Sequence, residues 1–227
     1  MVNNDQKIFS PQDRLGADSE YLLKHLLSGF LNRWEAVGPK GPCHLHTYPI
    51  SKFDQFSDNR KIREQKSVLR ELDRWRKVVA GRPNTLDLFW EGDVLCWVER
   101  VTVGAPLSSL YSSLTLYEGV SLIEECLCLL ELLHSERDFQ VGDPLLHLNI
   151  TPQNIWREGE GALLLMHPSC PTLVELSVQK HLNDDEALSG EVAPELLRGR
   201  YGMSTDLYAL GMSALSAMTG MTVARVD

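Results

Sequence analysis

The segment HLNITPQNI, residues 147–155, is the most informative stretch of this sequence. It is compact and partly apolar, it follows a polar loop at 136–144, and it precedes a predicted hairpin at Glu158–Gly161. A pattern this short is weak evidence by itself. Its meaning therefore depends on the elements that flank it and on their distances along the chain.

Short apolar runs broken by turn residues fill the region upstream. From Tyr21 to Ile50 the runs are separated by Ser28-Gly29 and by the Gly- and Pro-rich residues 38–42, which predicts an antiparallel meander. Residues 59–80 switch to a helical period. Two further runs, TLDLFW and VLCWVERV, flank Glu91-Gly92-Asp93, a short turn typical of a hairpin.

The pattern becomes mainly helical after Gly104-Ala105-Pro106. A short helix is predicted in LSSLYSSL at 107–114, a long apolar helix from Tyr117 to His134, and a final helix from Ser204 to Thr219. This order favours an α+β protein of two lobes. We assign the chain to an N-terminal arm (1–18), an N-lobe of a β-sheet plus one helix (19–103), and a partial, mainly helical C-lobe (104–227).

Bulk composition excludes several classes of protein. The 227 residues carry 22 Lys and Arg against 31 Asp and Glu, a formal net charge of -9. A general nucleic-acid binder needs excess cations to displace phosphate counterions, so this class is excluded. No apolar run reaches the ~20 residues that a membrane-spanning helix requires. The five cysteines form no disulfide framework and the start lacks an apolar signal core, so we expect reduced thiols in a cytoplasmic protein.

With these flanking elements, HLNITPQNI resembles the catalytic loop of the protein-kinase superfamily, H-R-D-x-K-P-x-N. His147, Pro152 and Asn154 match that pattern. At 167–169, after a strand of the expected kind, HPS stands where the family has D-F-G. Further on, Ala193-Pro194-Glu195 is an intact A-P-E, and Asp206 matches the acid that bonds the backbone of the catalytic loop in kinases.

The upstream residues carry the same resemblance. The stretch from Leu95 to Val101 is similar to the strand and hinge that join the kinase lobes, with Val98 as gatekeeper and Glu99 to Val101 as the hinge that would meet an adenine. Arg82-Pro83-Asn84 resembles the turn after the regulatory helix, in which Glu64 is our choice for the family's acid. The resemblance implies a two-lobed protein-kinase-like fold whose C-terminal lobe is truncated after the central helix.

The same resemblance implies that the charged groups of phosphotransfer are lost. Asn149 replaces the catalytic-base Asp, Thr151 replaces the Lys two residues later, and His167 replaces the magnesium-binding Asp. The strand-three Lys is placed at His46, with Lys52 as the alternative if the strand slips or bulges. Phosphoryl transfer depends on positioning and charge neutralisation, so we expect no catalytic residues and no canonical kinase activity.

Other parts of the nucleotide site are reduced as well. Only Gly29 remains of the glycine-rich loop, and Leu148 replaces the Arg that would hold a phosphorylated activation segment. The remnant pocket consists of Val98, Glu99, Val101 and Asn154. We expect no cofactor, with ATP and magnesium as the less favoured alternative. Zinc on His46 and His167, helped by Asn154 or by Cys43 and Cys170, is a further alternative, but we expect no metal.

These expectations describe a pseudokinase that acts as a protein-binding scaffold or an allosteric regulator. Its partner would be another protein, which covers the truncated C-lobe or docks on the basic helix from Arg60 to Lys77. A solvated helix face is the alternative for that basic helix. The competing functions are a nucleotide sensor and an atypical enzyme, either a nucleotidyl transferase or a weak Ser/Thr kinase.

Overall fold

The computed structural model describes residues 9–18, 20–28, 33–77, 85–110, 114–136, 142–159, 161–176 and 192–220. The predicted glycine-loop residues 29–32 and the turn at 82–84 lie outside these ranges. The chain divides into two compact units. The first unit contains Met1–Phe56 and Asn84–Thr102, and the second contains Ser57–Pro83 and Val103–Asp227.

The first unit is built on one antiparallel sheet in the order β1-β2-β3-β4-β6-β5. Strands β2, β3 and β4 pair in sequence, which confirms the predicted meander, and β5 and β6 form the predicted hairpin. The strands are β1 (Arg14–Leu15), β2 (Tyr21–Ser28), β3 (Arg33–Gly38), β4 (Gly41–Pro49), β5 (Thr85–Glu91) and β6 (Val94–Arg100).

One face of this sheet carries the apolar core of the first unit. Because successive strand residues point to opposite faces, alternate positions of β3, β4 and β6 meet in one cluster. Its members on these strands are fully or nearly fully buried: Trp34, Ala36, Cys43, Leu45, Val94, Cys96 and Val98.

The end of the predicted N-terminal arm belongs to the sheet. Strand β1 pairs with β2, the N–H of Gln12 donates to the carbonyl of Leu23 at 2.9 Å, and Leu15 is buried in the core cluster. This strand could not be predicted from the sequence, because two paired residues are too few to show an alternating pattern.

The second unit is mainly helical. Its helices are α1 (Asp58–Lys77), α2 (Leu116–Ser135), α3 (171–176) and α4 (Met203–Thr219). A small antiparallel sheet joins β7 (Ala105–Pro106), β8 (Ile155–Arg157) and β9 (Leu163–Leu165). The predicted short helix after β7 is a 3-10 turn at Leu107–Leu110.

Helices α2 and α4 supply the core of the second unit. The side chain of Thr115 accepts a hydrogen bond from the N–H of Glu118, and the carboxylate of Glu118 accepts one from the N–H of Thr115, so a capping box fixes the start of α2. Leu122, Cys126 and Leu130 of α2 are buried in one cluster that also contains residues of α4, β8 and β9. No helix in the described ranges combines the length and the apolar character that crossing a membrane requires.

Helix α1 groups with the second unit, whereas the sequence analysis assigned it to the N-lobe. Trp75 explains the difference. Its side chain is buried in the core cluster of the second unit, and its indole N–H donates to the carbonyl of Leu146 at 2.9 Å. A sequence pattern identifies the apolar stripe of a helix but does not say which neighbour covers it.

The close approach of Gly38 to Tyr21 gives a test of the first unit. A Cβ atom on Gly38 would lie 2.5 Å from Cε1 of Tyr21, whose ring is buried and whose hydroxyl donates to Asp87 at 2.9 Å. We expect Gly38→Ala to lower the free energy of unfolding by about 1–3 kcal/mol, measured by urea denaturation.

Gly211 in α4 provides the matched control, because a Cβ there meets no atom within 4 Å. Gly211→Ala should raise the free energy of unfolding by roughly 0.5–1 kcal/mol through better helix propensity. Equal effects of the two substitutions would contradict the packing described for Gly38.

Candidate functional site

The carboxylate of Asp206 organises the segment at 147–154. Asp206 is fully buried in the first turn of α4. It accepts hydrogen bonds from the backbone N–H groups of His147 at 2.8 Å and Leu148 at 2.7 Å, and it lies 2.9 Å from Nε2 of His134. A buried carboxylate is tolerated only when such partners replace water, so these bonds fix the loop to α4.

Two residues of the site have left-handed backbone conformations. Leu148 has φ 56° and His167 has φ 52°. Such a conformation costs roughly 1–2 kcal/mol for a residue with a side chain, so other contacts must hold it. The bond from the Leu148 N–H to Asp206 is one such contact, and both residues are buried.

The amide of Asn149 links two segments of the site. Its Nδ2 donates to the carbonyl of His167 at 2.6 Å, and its backbone carbonyl accepts from Nδ2 of Asn154 at 2.9 Å. The carbonyl of Asn154 in turn accepts from the N–H of Met166 at 2.7 Å. An ionised aspartate could not donate the first of these bonds. Both asparagines therefore hold the loop against the chain at 166–167.

His147 lies in the interior of the same loop. Its ring meets Trp75 edge-on, with ring centroids 5.1 Å apart, and its carbonyl accepts from the N–H of Ser169 at 2.8 Å. Its Nδ1 accepts from the backbone N–H of Asn149 at 3.2 Å, which places the proton of the neutral ring on Nε2. Burial lowers the pKa of His147 to about 4, although Asp206 and the backbone of Leu165 oppose that shift.

Glu71 connects α1 to the segment after His167. Its carboxylate accepts hydrogen bonds from Thr172 through both the hydroxyl, at 2.7 Å, and the backbone N–H, at 3.1 Å. The hydroxyl of Ser67 also donates to it at 2.9 Å. Glu64, the acid chosen from the sequence, lies beside Arg60 and Arg63 on the same helix.

The periodicity of the helix does not distinguish Glu64 from Glu71. The two acids are separated by about two helical turns and therefore lie on nearly the same face of α1. Only the contact with Thr172, which is 101 positions away along the chain, distinguishes them.

The first unit carries a buried polar cluster on the sheet face opposite its core. Arg33, His44, His46 and Glu99 share this face through the register of β3, β4 and β6. Nη2 of Arg33 lies 2.6 Å from Nδ1 of His44, and Nε2 of His46 lies 3.3 Å from the carboxylate of Glu99. Because arginine can only donate, Nδ1 of His44 is the acceptor.

Both histidines of this cluster are neutral at physiological pH. Burial, with a smaller effect of Arg33, lowers the pKa of His44 to about 4. Burial also lowers the pKa of His46 well below its ordinary value, and Arg33 and His44 add to that effect. The contact between His46 and Glu99 is therefore a hydrogen-bond-length contact of a neutral ring, not an ion pair.

His46 lies inside β4, whereas the alternative residue Lys52 does not. Residues 43–49 pair with β6 without a shift, and Lys52 lies beyond the strand in the 3-10 turn Ser51–Gln55. Cys43 points away from His46 into the sheet core, so it does not join a ligand set with that histidine.

Val98 does not share the face of His46. It is fully buried in the core cluster, and the neighbouring Trp97 and Glu99 occupy the polar face instead. Because side chains alternate between the two faces of a strand, a shift of one residue in register moves every side chain to the opposite face. Val101, the other predicted pocket residue of this segment, follows the end of β6 and is 45% exposed.

The remaining predicted residues have local roles. The carbonyl of Thr151 accepts from the N–H groups of Asn154 and Ile155, so Thr151 closes the turn of the loop. The carboxylate of Glu195 accepts from the hydroxyl of Thr205 at 3.2 Å, and its carbonyl accepts from the N–H of Arg200 at 3.1 Å.

Comparison with known proteins identifies the fold. No protein-family model and no curated protein matches this sequence. Among solved structures, the PknI kinase domain of Mycobacterium tuberculosis is similar over 94% of this chain and 77% of its own, with 16% identity and a TM-score of 0.64. A double mutant of that domain is similar over 94% and 80%, with 16% identity and a TM-score of 0.65. The chain therefore has a protein-kinase-like α+β fold, as its sequence predicts.

The neutral buried histidines predict a loss of stability in acid. For His44 and His147 the folded pKa of about 4 lies below the unfolded value, so the unfolded state binds more protons between these values. Stability is fully present above about pH 6.5 and falls as the pH approaches 4. Lowering the pH from 7 to 5 should cost about 2 kcal/mol for each ring, measured by urea unfolding at both values.

His44→Gln is the informative variant for this test, because Gln still offers an oxygen to Arg33 but cannot titrate. It should reduce the acid-dependent loss by about 2 kcal/mol. An unchanged slope of stability against pH would contradict the placement of His44.

The donor role of Asn149 gives a second test of the site. Asn149→Asp replaces the NH₂ group that faces the carbonyl of His167 with an oxygen, so two acceptors would meet at 2.6 Å. We expect a loss of roughly 1–3 kcal/mol in the free energy of unfolding, relative to wild type. Asn149→Ala removes the bond without adding an acceptor, and it should cost less than Asn149→Asp. The opposite order would contradict this hydrogen bond.

Proposed function

We propose that this chain is a pseudokinase: a binding and regulatory module on a protein-kinase-like fold that does not transfer phosphate. The observation that carries the proposal is the hydrogen bond from the Asn149 side chain to the carbonyl of His167. The resemblance assigns the catalytic base and a magnesium ligand to these two positions. Here they are an amide and an imidazole-bearing residue, and the amide is used to hold the loop in place.

The electrostatics of the described residues support the same conclusion. Phosphoryl transfer is catalysed mainly by positioning and by charges that neutralise the phosphate oxygens. Removing one such donor costs ~100- to 1000-fold in rate, and groups that act together do not add simply. His46, Asn149 and Thr151 stand at three charged positions of the family, and none of them is charged at neutral pH; burial keeps His46 in its neutral form.

The residues at the family's metal positions do not fit magnesium with ATP. Magnesium prefers an octahedral set of oxygen ligands, above all carboxylates, phosphates and water. His167 offers nitrogen, and the Nδ2 of Asn154 is committed to the carbonyl of Asn149. The amide oxygen of Asn154 alone is a weak ligand set for a doubly charged, strongly hydrated ion.

The same residues favour the binding of a protein partner as the function of the chain. The loop is held by Asp206, two asparagines and a neutral histidine, which fix a shape without reactive charge. Helix α1 adds a surface of opposite sign to the net charge of the chain, because its side chains include exposed Arg60 and Arg63. Charge complementarity between such a surface and its partner contributes more to the specificity of binding than to its affinity.

Titration with Mg-ATP tests the absence of phosphotransfer. Ligand at ~100 times its dissociation constant would stabilise the fold by about 2.7 kcal/mol. We expect no change in melting temperature at millimolar Mg-ATP and no phosphate transfer to the chain itself or to a general protein substrate. An active kinase domain under the same conditions serves as the positive control.

Magnesium-dependent stabilisation accompanied by turnover would overturn the proposal. Asn154→Ala then distinguishes the site from a contaminant, since it removes the amide that stands at the family's metal position. Turnover that disappears in this variant, with circular dichroism confirming that it is folded, would assign the activity to this chain.

A further inference from the structure

Helices α2 and α4 leave an open, largely apolar groove on the second unit. We call it the α2–α4 groove; it has a volume of about 460 Å³ and is lined by Leu127, Leu130, Glu131, His134, Ser135, Met203 and Leu207. Three of its apolar side chains are well exposed: Leu127 at 41%, Met203 at 47% and Leu207 at 46%. Single exposed apolar residues are ordinary, but a set that lines one concave surface indicates an interaction site.

The charges on these two helices have a single sign. Helix α2 carries acids and no Lys or Arg, and the one acid of α4, Asp206, is buried against the loop. Glu118 is engaged in the cap of α2, and Glu125 pairs with Arg157 at 2.9 Å.

Glu124 and Glu131 are the acids that remain available beside the groove. Both are exposed, and neither has a hydrogen bond or ion pair with any residue in the described ranges. They are about two helical turns apart, with Leu127 between them on the same stripe of α2. The groove therefore has an apolar floor and an acidic edge.

We propose that the α2–α4 groove binds a cationic amphipathic helix of a partner protein. An amphipathic helix places apolar residues in a groove at i, i+3, i+4 and i+7, and its flanking Lys or Arg side chains would face Glu124 and Glu131. Met203 suits this role because the methionine side chain adapts to different partners. The inference rests on the proposed function, since a chain that transfers no phosphate acts through what it binds.

A second copy of this chain is a poor occupant. Its cationic helix is α1, whose apolar residues Val68, Leu72 and Trp75 are already buried. A membrane surface is also disfavoured, since anionic lipid would repel Glu124 and Glu131.

The binding test uses two fluorescein-labelled peptides of 18 residues. The first has Leu at helical i, i+3, i+4 and i+7 spacing and Lys elsewhere, and the second has the same Leu positions with Glu in place of Lys. Fluorescence anisotropy with the full chain should show binding of the Lys peptide at least tenfold tighter than that of the Glu peptide. Raising the salt from 50 to 300 mM should weaken the Lys peptide severalfold, because rim charges are screened.

Variants then locate the site. Glu124→Lys with Glu131→Lys should weaken the Lys peptide at least tenfold. The control, Glu20→Lys with Glu35→Lys, makes the same change in net charge at exposed positions of the first unit and should have less than a threefold effect. Leu127→Ser with Leu207→Ser should also weaken binding at least tenfold, with circular dichroism confirming that each variant is folded.

Three outcomes would overturn the inference. They are equal binding of the two peptides, equal loss in the groove and control variants, and a concentration-dependent dimer in light scattering that Leu127→Ser with Leu207→Ser abolishes. The last result would assign the groove to a second copy. None of these outcomes bears on the proposal that the chain transfers no phosphate. Turnover of Mg-ATP would contradict that proposal instead.

Discussion

The buried carboxylate of Asp206 is the constraint on which the second unit depends. It is out of water, so its energy is acceptable only while the N–H groups of His147 and Leu148 and the ring of His134 remain in place. The same carboxylate accepts a hydrogen bond from Leu148, which stabilises a left-handed backbone conformation that is unfavourable for leucine. The position of His147 against Trp75, and of Asn149 against His167, follows from that fixed backbone.

Several buried or partly buried polar groups of the chain are neutral, and each makes a hydrogen bond that holds the structure. The amide of Asn149 donates to a carbonyl, Nδ1 of His147 accepts from a backbone N–H, and Nδ1 of His44 lies at hydrogen-bond distance from Arg33. An isolated charge in these buried places would carry a large desolvation cost. Each of these bonds depends on the neutral form of its group, so an ionised residue in place of Asn149 would lose the bond to the carbonyl of His167.

The sequence predicted what local patterns determine. Turn residues and alternation predicted the β2–β3–β4 meander, the apolar pattern predicted α2, and the spacing of His147, Asn154 and Asp206 led to the fold. Features that depend on one residue of register or on distant contacts were not accessible. Examples are the face of β6 on which Val98 lies and the contact of Glu71 with Thr172. A strand reverses its faces with a one-residue slip, and two acids about two turns apart look alike in a helical pattern.

The second unit presents two surfaces of opposite sign, and this asymmetry restricts what can bind to it. Helix α1 is rich in Lys and Arg, whereas α2 and α4 contain neither. An apolar groove on a protein surface promotes self-association unless something opposes it. Pairing of two α2–α4 grooves would bring Glu124 and Glu131 of one copy against the same acids of another, and like-charge juxtaposition is costly. The acidic edge therefore discourages homotypic contact at the groove while it favours a cationic partner, so the same two side chains support both solubility and selectivity.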